Sequence, residues 1–149
     1  DAIARGAAAR QVDLGAAVSD PDVEIAALVA WVRSLPPTAL PLIASVVEVA
    51  DIRRDASATA HAVERVLSAV VAELVAAGDV HRVVVAGGET SGAVVQALGI
   101  STLEIGDRLA PGVCWSAGAT ASGDSVALVL KSGNFGGTDL FTTAWKAIA

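Results

Sequence analysis

Hydrophobic positions along this chain follow two rhythms, short unbroken apolar runs and longer stretches at helical spacing. Val83-Val84-Val85-Ala86 and Val126-Ala127-Leu128-Val129-Leu130 are runs of the first kind, the pattern of strands covered on both faces. Residues 57–77 follow the second rhythm. Val63, Val66, Leu67, Val70 and Leu74 recur three and four positions apart, while Glu64, Arg65, Ser68 and Glu73 lie mostly off that stripe. Gly78 stops this helix. Another helix opens at Ser19-Asp20-Pro21-Asp22, with a capping side chain, a proline in the first turn and acids at the positive dipole end. It runs to about Ser34, ahead of Pro36-Pro37.

Further strands are predicted at 10–14, 40–45 (with Pro41 at its start), 81–86, 101–105, 111–116 and 125–130. A short helix over 91–98 ends at Gly99, and Thr138-Asp139 opens a terminal helix to Ile148. Residues 46–56, with Asp51, Arg53, Arg54 and Asp55, read as a solvated loop. Strands and helices alternate, and few tight hairpin signals occur before residue 100. The reading is an α/β fold: a three-layer, mostly parallel, Rossmann-like sheet with helices on both faces and some antiparallel strands near residues 100–130. Residues 1–149 suffice for one domain with a real core. Asp1 to Arg5 reads as the last turn of a helix already under way, closed by Gly6. With no Met in the chain, the expectation is a piece of a longer protein.

Composition narrows the function classes. The chain is 54% hydrophobic but 3% aromatic, so Ala and Val fill closely spaced layers rather than a core built on rings. A net charge of −6 leaves no basic stripe to displace counterions from a nucleic acid, so that partner is set aside. No apolar run reaches the roughly 18 residues of a membrane span, so no membrane partner is expected. The lone Cys114 has no internal disulfide partner and fits a reducing, cytoplasmic compartment. The apolar content permits a homodimer without locating its interface.

Two glycine-rich turns carry the chemistry. Gly87-Gly88-Glu89-Thr90-Ser91-Gly92 follows one apolar run, and Lys131-Ser132-Gly133-Asn134-Phe135-Gly136-Gly137 follows the other. A strand that ends in glycines and hands over to a helix presents unpaired N–H groups at the positive end of a dipole, which suits a phosphate. Neither turn is a Walker A loop, because Lys131 precedes its glycines. Neither has the Gly-x-Gly-x-x-Gly dinucleotide pattern. The residues alone therefore support an anion site made of two strand-to-helix turns.

These turns, together with Leu98-Gly99, Ile105-Gly106, Pro111-Gly112-Val113 and Phe141, resemble the C-terminal nucleotide-binding domain of the four-carbon acid sugar kinases. That family includes the 3-oxo-tetronate, erythronate and threonate kinases. The likeness is strong over 80–149 and only architectural over 1–79. It implies a two-part enzyme needing ATP and Mg²⁺. An N-terminal domain would bind the four-carbon acid sugar, and this C-terminal domain would bind ATP for transfer to the sugar's terminal hydroxyl. The isolated fragment would be inactive. An alternative is a non-catalytic module that binds a nucleotide or sugar phosphate.

On this resemblance Lys131 would neutralise phosphate charge in the transition state; otherwise it is a strand-end lysine reaching solvent. Gly87, Gly88 and Gly92 would admit phosphate oxygens, or else serve strand–helix packing. Thr90 and Ser91 would donate to phosphate, ligate Mg²⁺ or cap the following helix. Glu89 would hold metal-bound water or merely face solvent; no metal ligand is identified. Ser132, Gly133, Asn134 and Gly136 would complete the cradle as an anion nest, with Asn134 as a plain turn residue otherwise. Phe135 would cover the adenine, but reads rather as a core anchor for its loop. His61, His81 and Cys114 receive no role. Trp31, Trp115 and Trp145 read as core or interface residues.

Overall fold

The computed structural model describes residues 2–45 and 57–147. The solvated loop expected at 46–56 and the end of the terminal helix at Ile148 lie outside the described residues.

The chain enters through a 3₁₀ turn, Ile3–Arg5, closed by Gly6 in the left-handed region. It continues through β1 (Ala8–Gln11), α1 (Leu14–Ser19), α2 (Pro21–Ser34), β2 (Pro41–Ala44) and α3 (Ser57–Ala76). Next come β3 (Arg82–Ala86), α4 (Gly88–Ala97), β4 (Glu104–Ala110), β5 (Val113–Ala119), β6 (Ser125–Lys131), the short α5 (Leu140–Thr143) and a 3₁₀ turn, Ala144–Ala147.

The helix signals act as their chemistry requires. Asp20 caps α2 by accepting the Val23 N–H, and Pro21 occupies the first turn. The α3 stripe buries Val63, Val66, Val70 and Leu74. Burying each such side chain stabilises the fold by about 1.5–3 kcal/mol relative to exposure. Two expectations shift. The strand foreseen at 10–14 ends at Gln11, because Asp13 caps α1 by accepting the Ala16 N–H at 2.9 Å. Glu24, buried on α2, accepts the Asp13 N–H at 3.0 Å and fixes that corner. The terminal helix is a single short turn of α5 followed by 3₁₀ geometry.

Strands form two sheets. Parallel β1 and β2 make one, and the other runs β3-β6-β5-β4. In the larger sheet β3 and β6 are parallel, while β6-β5 and β5-β4 are antiparallel. This is the mixed pairing foreseen for 100–130. The strands foreseen at 101–105 and 111–116 both lie further along, at β4 and β5.

Strand alternation in β6 separates two cores. Val126 and Leu128 join Val85, Val94 and Leu98 beneath α3 and α4. Val129 points the other way, to Val113, Trp115, Leu140 and Ala144. Helical segments thus cover both faces of the larger sheet. A third core holds Ala17, Leu28, Val29, Val66 and Val70 between α1, α2 and α3, with Ile43 of β2 against it. Helix α3 runs through both of its neighbouring cores, since Val70 belongs to one and Val75 to the next. No helix among the described residues is long and apolar enough to cross a membrane.

Candidate functional site

Parallel pairing of β3 with β6 sets their carboxyl ends side by side, with Ala86 opposite Lys131. One residue on, the Gly87 N–H donates to the Lys131 carbonyl at 2.9 Å. The two glycine turns therefore leave one sheet edge together, the place where open α/β sheets bind ligands.

In the first turn, Gly87 holds φ +119°, which a side chain would strain. Helix α4 starts at Gly88, three residues before the expected position, and its N-cap Gly87 supplies no side-chain bond. Thr90 and Ser91 are thus inside the first turn and do not cap it. The Ser91 amide reaches the Gly87 carbonyl at 2.9 Å. The amides of Gly88, Glu89 and Thr90 are the orphan donors of a helix start. The Ser91 hydroxyl is buried without a hydrogen-bond partner among the described residues. Its burial was not foreseeable from sequence, because it depends on how α4 seats on the sheet. Glu89 is exposed, in the first turn.

In the second turn, Lys131 bends over its own loop, and Nζ donates to the Gly133 carbonyl at 3.1 Å. The Phe135 N–H donates to the Ser132 carbonyl at 3.2 Å and tightens the turn. Ser132, Gly133, Asn134 and Gly136 are all exposed. Phe135 is not a buried anchor. It is 48% exposed, with its ring against Gly112 in the β4–β5 turn.

The glycines divide by what demands them. A Cβ on Gly136 would stand 2.9 Å from Leu140 Cδ2, and its φ is +82°; local structure requires glycine there. A Cβ on Gly88, Gly92 or Gly133 would meet nothing within 4 Å, and none of the three has positive φ. Neither packing nor backbone conformation requires glycine at these three positions, which leaves them free for close approach by a ligand. Open glycines, orphan amides and one lysine fit a phosphate group. No cluster of three or more His, Cys, Asp or Glu able to hold a metal occurs among the described residues.

Trp115 is buried and donates from Nε1 to the Ala144 carbonyl at 3.1 Å, while Trp145 tilts against it with ring centres 5.6 Å apart.

A family profile described as "Nucleotide-binding C-terminal domain" matches residues 2–141. Among curated proteins, the chain is similar to the 3-oxo-tetronate kinase of Cupriavidus necator. The two are 54% identical over 88 residues, which span 59% of this chain and 20% of the relative. The 3-oxo-tetronate kinase of Pectobacterium atrosepticum is 39% identical over 152 residues, spanning 96% of this chain and 35% of the relative. Among solved structures, a Haemophilus influenzae protein of the DUF1537 family superposes with a TM-score of 0.84 at 31% identity. That match covers 98% of this chain and 36% of the other. The chain therefore spans no more than 36% of the length of any of these three.

Proposed function

This chain belongs to the nucleotide-binding C-terminal domain family, and from that premise we propose that it is the ATP-binding part of a four-carbon acid sugar kinase. The substrate class is that of 3-oxo-tetronate, erythronate or threonate, phosphorylated on the terminal hydroxyl. The acid sugar would bind on a separate N-terminal domain. The observation that carries the reading is the Gly87–Lys131 hydrogen bond, which unites two glycine turns into one patch of backbone donors.

In this proposal the orphan amides at the start of α4, that of Gly88 among them, and the open backbone at Gly133 hold phosphate oxygens, while Gly92, whose amide is bonded within α4, only leaves room for the ligand. Ser132 and Asn134 complete the second wall. The Thr90 hydroxyl faces the phosphates or their Mg²⁺, and Glu89, the acid of that turn, holds metal-bound water; the Ser91 hydroxyl, buried beneath the turn, takes no direct part. Mg²⁺ neutralises phosphate charge and usually takes one or two carboxylates alongside phosphate oxygens and waters. Lys131 leaves the Gly133 carbonyl to meet charge that builds up on the transferring group, where electrostatic positioning does most of the work.

The test is calorimetric titration of the full-length protein with ATP and ADP, with and without Mg²⁺, followed by a phosphorylation assay on 3-oxo-tetronate, erythronate and threonate. Saturable ATP binding with turnover of one acid sugar supports the proposal. No binding up to millimolar nucleotide by a folded protein sinks it. Binding without turnover on any acid sugar removes the kinase assignment and leaves a nucleotide module.

A further inference from the structure

The rim that carries both glycine turns also carries the β4–β5 turn. β5 runs antiparallel to β6, from Trp115 opposite Val129 to Ala119 opposite Ser125, so the start of β5 lies beside the end of β6. The turn at Pro111-Gly112 therefore stands next to the turn at 131–137, on the side away from Gly87. Strand order β3-β6-β5 puts two strand spacings, about 10 Å, between the Gly87 turn and the Gly112 turn.

Phe135 bridges its own turn to that of Gly112. Its ring rests on Gly112, where a Cβ would come within 3.0 Å of Cδ1 and 3.1 Å of Cε1. Gly112 holds φ +71°, so the hairpin turn and the ring both require glycine there. The loop that carries the ring is held from within. Lys131 Nζ bonds to the Gly133 carbonyl, the Phe135 N–H bonds to the Ser132 carbonyl, and Gly136 lies against buried Leu140. Even so, 48% of Phe135 stays exposed.

Exposure alone would carry nothing, since Ile3, Val18, Val23 and Ile105 are exposed as well. Phe135 differs in kind and in place. It is the one aromatic side chain among the exposed large hydrophobic residues described, and it is fixed on the rim beside the backbone donors of both glycine turns. A flat ring held rigid next to a phosphate cradle suits a flat ligand that carries phosphates.

We propose that Phe135 is the base platform of the nucleotide site: the adenine stacks on its ring above Gly112, and the phosphates lie toward Gly87 and the start of α4. The nucleotide then crosses the rim along the strand order, base over β5 and phosphates over β3. The platform rests on the nucleotide reading proposed above and adds to it the end that holds the base. Stacking needs no hydrogen bond from the base, so it supplies affinity and orientation through the π-face alone. It also covers apolar ring surface, a gain that a bare polyphosphate cannot make.

The test measures ATP binding to the full-length protein by calorimetry, and displacement of ATP by inorganic tripolyphosphate, both with Mg²⁺. Phe135→Ala should weaken ATP by about tenfold or more, the size of one lost base–aromatic stack, and leave tripolyphosphate affinity unchanged. An unchanged ATP affinity, or equal weakening of both ligands, overturns the platform while the phosphate rim stands. Failure of millimolar tripolyphosphate to displace ATP from the wild type removes the phosphate rim, and the platform with it. Phe135→Trp controls for a loop that merely loosens without its ring. ATP should quench emission from position 135, read as the difference from wild type. A folded F135W protein that binds ATP without that quenching overturns the platform.

Discussion

The amide of Gly87 is bonded to the carbonyl of Lys131, so the first residue beyond β3 and the last residue of β6 move as one unit. Forty-four positions apart in sequence, the two turns share one rim. Their lone cation, Lys131, is tethered within the rim by its bond to Gly133. A loop pre-formed in this way loses less entropy when a ligand arrives than a loose one would.

Gly133→Val is expected to weaken ATP binding by about tenfold or more, since a side chain would fill the space of backbone approach. No neighbour lies within 4 Å of its Cβ position, so the melting temperature should hold. Calorimetric Kd alongside a thermal melt checks this. Parallel losses in both would assign Gly133 to packing.

Lys131→Ala in the full-length enzyme is expected to lower kcat by about 100-fold, the size seen when one transition-state donor is removed. KM for ATP should rise much less. Steady-state kinetics decide, and an unchanged kcat would take Lys131 out of the chemistry.

Gly99→Ala is the opposite case. Its Cβ would stand 2.7 Å from that of Ala121, at a φ of +65°. Strain and overpacking together should cost about 1–3 kcal/mol, read from urea unfolding, while nucleotide affinity stays at the wild-type value. A neutral substitution would show that the Ala121 turn yields freely.

Trp115→Phe keeps a ring but removes the Nε1 donor from the buried Ala144 carbonyl. Losing that buried bond should cost about 0.5–1.5 kcal/mol, because the carbonyl keeps its acceptor role in the 3₁₀ turn. Denaturant unfolding monitored by circular dichroism gives the value. A loss below about 0.5 kcal/mol would mean water replaces the bond.

Local signals were legible wherever one residue's chemistry decides the outcome. Asp20 and Pro21 open α2, the stripe from Val63 to Leu74 is buried, and Gly6 and Gly78 end their segments with positive φ. Strand β4 was less legible. Asp107 and Arg108 fall outside the strand foreseen at 101–105, but β4 is an edge strand with register shifts, and most of its residues are exposed. Charges are acceptable on such an edge, where they discourage pairing with other chains. Helix α1 was missed because six residues containing Gly15 and Ser19 carry little propensity; a cap from Asp13 and a buried Ala17 hold it instead.

Taken by itself, the sequence determined the α/β class, the ends of α2 and α3 and the two glycine turns, because those depend on φ preferences and on spacing within a few residues. Tertiary structure alone decided that the turns share a rim, that Ser91 is buried without a partner and that Phe135 stays outside the core. Those outcomes come from strand pairing between distant segments. Such contacts leave no periodicity in the residues that make them.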